Sequence, residues 1–232
     1  MLVIDPSLDD TNVEKGLVER AESYLRAEGA QVIYAGGQYP LNPFYWGVYG
    51  GSEWAGILSG HHAFHRAVIG RGFEAVGTTV LLEADLSQPE QRDPRGVLIR
   101  RHSRLEVVED AAPRSWWDAL AIGDRSPTLY RLMTKTDNAE LARATTWDMT
   151  RFGRLDGKSR VGLVDMEVNP ALRRKGYGRH LVNEILRSHR EQATAVVCLQ
   201  THSTNSAAIA LYQSVGFHAV DMSTLYRLPG VH

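Results

Sequence analysis

Apolar residues recur at helical spacing in two long stretches. In "TNVEKGLVERAESYLRAEGA" (11–30), Val13, Leu17, Ala21, Tyr24 and Leu25 fall on one face, and Thr11 with Glu14 has capping-box spacing. In "GRHLVNEILRSHREQA" (178–193), Leu181, Val182, Ile185 and Leu186 do the same. Each stretch predicts an amphipathic helix. Short apolar runs follow them, "QVIYA" and "AVVCLQ", and others precede them, "LVID" and "VGLVDMEV"; all four read as strands. Between about 96 and 168, strands are expected at "RLEVVED", "TLYRLMT", "ELARATTWDMTRF" and "VGLVDMEV", with one helix near "SWWDALAIG". "TDNAE" carries a hairpin turn signal. Neighbouring strands followed by strand–helix–strand–helix–strand predict a mixed α/β sheet flanked by helices.

The pattern also repeats. Shifted by 144 residues, "HHAFHRAVIGRGFEAVGTTVLLEA" (61–84) lies on "NSAAIALYQSVGFHAVDMSTLYRL" (205–228). Ala63, Gly72, Phe73, Ala75, Val76 and Leu81 match Ala207, Gly216, Phe217, Ala219, Val220 and Leu225. Chance gives roughly one or two such identities at ordinary composition. Both copies read as a short helix, a glycine stop and a strand, the glycine taking the left-handed position at the helix end. Such junctions also arise by convergence, so duplication is an expectation here. It divides the chain into an incomplete first repeat (1–86), a polar linker with two prolines (87–96) and a fuller second repeat (97–232).

Composition narrows the partners. With 43% hydrophobic and 23% charged residues the chain reads as globular, and a net charge of −1 gives no global field toward nucleic acid or anionic lipid. Neither a nucleic-acid nor a membrane partner is expected, and an anion site must be local. The single cysteine, Cys198, lies in an apolar run and reads as a core residue of a protein from a reducing compartment. The first residues lack a basic start and a long apolar run, so no signal peptide is expected, and a cytoplasmic location is. His61 and His65 have i,i+4 spacing but no convincing third ligand, so no metal is expected.

The local anion site is "NPALRRKGYGRHL" (169–181). Asn169-Pro170 ends a strand, and Arg173, Arg174, Lys175, Gly176, Tyr177, Gly178 and Arg179 lead into a helix. A helix N-terminus leaves about four N–H groups unpaired and carries partial positive charge, so it suits a phosphate. The run is no P-loop, which needs G-x-x-x-x-G-K-[ST], and Leu181 stands where a dinucleotide fingerprint needs its third glycine.

Taken together, "VDMEVNPALRRKGYGRHLVNEIL" and "NSAAIALYQSVGF" resemble the GNAT superfamily of acetyl-CoA-dependent N-acetyltransferases. The resemblance rests on Val168, Pro170, Arg173, Gly176, Gly178, Asn205, Ala208, Tyr212, Gly216 and Phe217, over about residues 160–220. It implies a mixed, mostly antiparallel sheet, and with the earlier repeat it suggests a tandem arrangement similar to that of mycothiol synthase. It further implies that Arg173 to Arg179 hold the CoA pyrophosphate and that Met166, Glu167 and Val168 pair their backbone with the pantetheine arm. A backbone N–H near Val168 would polarise the thioester carbonyl. Asn205 would bond the pantetheine, and Tyr212 would protonate the departing thiolate. Read from the residues alone, Asn205 is also a good helix N-cap and Tyr212 also suits packing. Asp165 and Glu167 alternate with Val164, Met166 and Val168, so both carboxylates are expected on one face, as candidates for receiving the acceptor's proton. Asp148, on the preceding strand, is a third candidate. A solvated sheet edge is the other reading of all three.

The first copy differs at these positions. Asp9 and Asp10 stand where the second has arginines, His61 replaces Asn205 and Val68 replaces Tyr212, so it is expected to bind no acetyl-CoA. Its aromatic and glycine-rich insertion (36–60) reads as either a substrate lid or an interface. The expected reaction is acetyl transfer to a primary amine, on a small molecule or a peptide, by direct attack in a ternary complex. A non-catalytic CoA-binding or interaction module is the other reading, and an unpaired sheet edge would favour a homodimer.

Overall fold

A computed structural model describes residues 11–36, 56–91, 93–113, 116, 119, 126–149 and 156–229. The expected strand "LVID", most of the 36–60 insertion and most of the helix near "SWWDALAIG" lie outside them. The elements are α1 (Thr11–Ala27), β1 (Ile33–Ala35), β2 (Ile57–Leu58), α2 (His62–Gly70), β3 (Glu74–Asp85), α3 (Gly96–His102), β4 (Ser103–Val108), β5 (Thr128–Thr134), β6 (Glu140–Asp148), β7 (Arg160–Val168), a 3-10 turn (Pro170–Leu172), α4 (Tyr177–Glu191), β8 (Val196–His202), α5 (Ser206–Gln213) and β9 (His218–Leu228). No helix among the described residues is long and apolar enough to cross a membrane.

One sheet runs through both matched stretches, in the order β1-β9-β3-β8-β7-β6-β5-β4, with β2 added on β9. Every pairing is antiparallel except β7 with β8. The sheet is thus mixed and mostly antiparallel. The polar run 87–96 is no free tether. Arg187 of α4 holds Glu90 at 2.5 Å, Arg190 donates to the Leu86 carbonyl at 3.2 Å, and Asp93 lies 3.5 Å from His180. Helix α3, at the end of this run, was not expected. Asp93 starts it by accepting from the Arg95 N–H at 3.2 Å, and only Gly96 and Ile99 of the helix are buried.

The terminal strands cross. β3 comes from the first stretch yet lies between β8 and β9, while β9 from the second lies between β3 and β1. In the β3–β9 pairing Thr79 faces Ser223, its own counterpart under the 144-residue shift. The register slips at Val76 on one strand and Val220 on the other, which are again counterparts. The helix ends match too: Gly72 and Gly216 have φ of 81° and 104°, and the Phe73 and Phe217 N–H groups bond the Val68 and Tyr212 carbonyls, both at 3.1 Å. A local two-fold axis therefore passes between Thr79 and Ser223.

The exchange feeds two cores. β3 places Leu82 and Ala84 in the main core, with Leu181, Val182 and Ile185 of α4 and Leu199 of β8. Their counterparts on β9, Tyr226 and Leu228, enter the second core with Val18, Ile33, Val68 and Phe73. The apolar face expected for α1 is largely exposed, Leu17 at 43% and Tyr24 at 66%. Val18 seats the helix instead, and Glu14, expected in a capping box, holds Arg66 at 2.8 Å.

Candidate functional site

Two irregularities in β7 open a cleft. Opposite Ala144, β7 carries an extra residue at Asp165–Met166, and Asp165 takes φ 52°, the left-handed conformation of a bulge. β7 also pairs with β8 only from Arg160–Val196 to Gly162–Cys198. Beyond Gly162 the two strands part, while β3 pairs with β8 along its whole length and holds it in the sheet. The wedge between them is a cleft of about 320 Å³. Its walls are Leu163, Val164, Asp165, Met166 and Glu167 of β7, Gln200 and Thr201 of β8, and Asn205, Ala208 and Tyr212 at α5.

The basic turn adjoins this cleft. Asn169 caps the 3-10 turn by accepting from the Ala171 N–H, and the chain then reverses through Arg174 at φ 63° and Gly176 at φ 92°. The first bond of α4 runs from the His180 N–H to the Gly176 carbonyl at 3.0 Å. The N–H groups of Tyr177 and Gly178 precede it in the first turn of the helix, the end at which backbone donors lack intrahelical partners. The two glycines serve different ends. Gly176 meets the positive φ, whereas Gly178 permits contact: a Cβ there would lie 2.9 Å from Leu211, 3.1 Å from Val168 and 3.2 Å from Met166. Gly178 thus lets the helix N-terminus press against β7 and α5, two of the elements that bound the cleft.

The other expected residues are placed as follows. Arg173, Arg174 and Lys175 are exposed, and Arg173 donates through Nε to the Val168 carbonyl at 3.3 Å. Arg179 is half-buried, and Tyr177 meets His102 of α3 through its hydroxyl at 3.3 Å. Met166 and Val168 turn their side chains into the main core, leaving their backbone as the β7 edge of the cleft. Asn205 caps α5, its Oδ1 accepting from the Ala208 N–H at 3.2 Å, so its amide is the half able to donate to a ligand. Tyr212 is buried against Phe217, ring centroids 5.6 Å apart.

The carboxylates depart from simple alternation. Val164 packs with Trp147 and Cys198, whereas Met166 and Val168 pack in the main core on the other side, so the bulge reverses the strand's parity. Asp165 and Glu167 both line the cleft nonetheless. Glu167 closes a row of ion pairs across four strands: Glu106–Arg131 at 3.7 Å, Arg131–Glu140 at 2.8 Å, Arg143–Glu140 at 3.9 Å and Arg143–Glu167 at 2.7 Å. Asp148 does not join them; it lines a separate polar cavity with His189 and Arg160. Cys198 is buried, its thiol donating to the Val161 carbonyl. His65 bonds Tyr226 at 2.7 Å and the Leu58 carbonyl at 3.0 Å.

Sequence reasoning overlooked the α3 side of the turn. His180 is buried between Asp93 and Glu184, and burial depresses its pKa despite both carboxylates. The Asp93-Pro94 pair was the available signal, since a carboxylate followed by proline is a helix-start signature.

The stretch that carries the cleft and the turn falls within a match to a known family. Residues 99–217, just over half of the chain, match the profile of the Acetyltransferase (GNAT) family. The [Ribosomal protein bS18]-alanine N-acetyltransferase of Escherichia coli (strain K12) is 33% identical over 64 residues, which cover 28% of this chain and 43% of that protein. The N-alpha-acetyltransferase RimI of Mycobacterium tuberculosis (strain ATCC 25618 / H37Rv) is 42% identical over 64 residues, 27% of this chain and 39% of the relative. The match thus spans less than half the length of either relative. A tandem GNAT protein from the clavulanic acid biosynthesis pathway has the same fold over 98% of this chain and 73% of its own, with TM-score 0.65 and 14% identity. The GCN5-related glucosamine N-acetyltransferase region of a fungal multi-domain GH3 β-N-acetylglucosaminidase does so at TM-score 0.68 and 16% identity, over 98% of this chain and 29% of that one. The chain belongs to the GNAT family of acetyltransferases.

Proposed function

We propose that the protein transfers an acetyl group from acetyl-CoA to a primary amine by direct attack in a ternary complex. One observation carries this: the helix N-terminus at Gly176–Arg179 is pressed, through Gly178, against a cleft that exposes a strand edge and ends on a buried tyrosine. The open N–H groups of α4, with Arg173, Arg174 and Lys175, suit the pyrophosphate. The β7 backbone at Met166 to Val168 suits the amides of the pantetheine arm, with the Asn205 amide across from it. A bound thioester supplies the activated acyl carbon. The N–H near Val168 would stabilise charge on its oxygen, and Tyr212 would deliver a proton to the departing sulfur. Asp165 and Glu167 stand on the cleft wall to receive the acceptor's proton, directly or through water.

Residues 1–86 are, in this reading, an incomplete GNAT repeat that binds no donor; the shared register at Thr79 and Ser223 supports it. The relatives named for alanine and N-alpha acetylation make a protein N-terminus one acceptor to test, beside small amines. The experiment is an acceptor screen that detects released CoA thiol, run with the parent chain and Tyr212→Phe. Loss of the acid should lower turnover by about 10²-fold or more with little change in CoA affinity. Release of no thiol with any amine, despite CoA binding, would leave a non-catalytic binding module.

A further inference from the structure

A second anion subsite lies beside the basic turn, on α3. Arg95, Ile99 and His102 recur at i, i+4 and i+7, so they share one face of that helix. That face meets the turn: Arg95 Cδ and Ile99 Cδ1 both lie 3.6 Å from where a Gly176 Cβ would stand, and His102 Nε2 lies 3.3 Å from the Tyr177 hydroxyl. Ile99 is buried and fixes the helix, while Arg95 and His102 remain exposed at the rim. Two carboxylates stand on this side, and among the described residues neither pairs with the Arg95 guanidinium. Asp93 accepts from the Arg95 N–H and faces His180, and Glu184 faces Arg100, Arg187 and His180. Among the described residues Arg95 has no ion pair. An exposed guanidinium next to a helix N-terminus, without a carboxylate of its own, is arranged for a doubly charged anion.

The geometry points to Arg95 and His102, with the Tyr177 hydroxyl, as a subsite for the phosphomonoester on the nucleotide end of the donor, the 3′-phosphate of CoA. This rests on the donor reading above. The pyrophosphate occupies the α4 end and the thioester arm enters the cleft toward α5, whereas α3 flanks the turn on the other side of α4. A phosphomonoester carries more charge than either pyrophosphate group and gains most from a guanidinium fork.

The test is titration calorimetry of CoA and 3′-dephospho-CoA with the full chain, Arg95→Ala, His102→Ala and, as a control beside the second core, Arg66→Ala. The parent and Arg66→Ala should bind CoA about tenfold or more tightly than dephospho-CoA. Arg95→Ala should bring that ratio close to one by weakening CoA alone, and His102→Ala should shrink it less. Equal weakening of both ligands would place Arg95 on the pyrophosphate and overturn the subsite, as would a parent ratio near one. Binding of neither ligand by the parent chain would overturn the donor reading itself. Circular dichroism of each variant separates these results from loss of fold.

Discussion

His189 sits in the last turn of α4, where the helix dipole favours a cation. Its Nε2 instead lies 3.2 Å from the Thr146 hydroxyl and 3.4 Å from that of Tyr130, and burial pushes its pKa down to about 4. The unfolded chain, with an ordinary value of 6.5, binds this proton first as pH falls. Stability should therefore drop between about pH 6.5 and 4, by at most roughly 3 kcal/mol for a shift of this size, and this contribution should level off below 4. Asp85, Asp137 and Asp156 have pKa values held below the ordinary 3.8 by hydrogen bonds, so their losses come at lower pH. Urea unfolding at pH 7 and pH 4.5 checks the window. His189→Gln should make the fall shallower, the buried His180, whose pKa is also depressed, contributing the rest, and an equally steep fall in the variant would assign it elsewhere. The core-facing position of His189 was legible, four residues after Ile185 on the same helix face. Its neutral state was not, because that depends on Thr146 and Tyr130 brought up from other strands.

Elements meet where side chains permit, and α4 meets β7 and α5 at Gly178. Gly178→Ala adds helix propensity of up to about 1 kcal/mol. It also forces a methyl group to within 2.9 Å of Leu211 and 3.1 Å of Val168, a crowding that costs about 1–3 kcal/mol in packed interiors. The helix should shift off the cleft wall, carrying its open N–H groups with it. Calorimetry should show CoA affinity falling further than the melting temperature implies; unchanged affinity would mean that the helix end need not touch β7. The turn itself was readable, since Arg173, Gly176 and Gly178 precede a strongly amphipathic helix. The separate reason for each glycine was not, because Leu211 lies more than thirty residues downstream. The bulge escaped for a related cause: Val164 to Val168 alternate apolar and acidic without interruption, and only the pairing with β6 shows two residues opposite Ala144. In α3, exposed Val97 and Leu98 give no amphipathic signal, so the helix was hidden except for its Asp-Pro start.

At the scale of the molecule, the crossed strands tie the cleft to residues that form no part of it. The 144-residue shift was visible in the sequence, but a helix–glycine–strand unit fits a strand returning to its own half as well as one crossing to the other. Only the register, with Thr79 on Ser223 and β3 along the whole of β8, distinguishes them. β8 is one wall of the cleft, and beyond Gly162 its sheet partner is β3 rather than β7. Leu82 of β3 is fully buried in the main core. Leu82→Ala should cost about 2–5 kcal/mol, the range for a truncated core leucine. The chain should still unfold in one transition, because each core contains a strand of the other stretch. Acetyl-CoA affinity should fall although no residue near the basic turn has changed. Val68→Ala, in the second core, offers the comparison: similar lost stability with donor affinity nearly kept. Scanning calorimetry with and without acetyl-CoA reads both quantities. Two separate transitions, with Leu82→Ala moving only one and leaving affinity intact, would show that β3 merely lies beside the cleft rather than holding its wall.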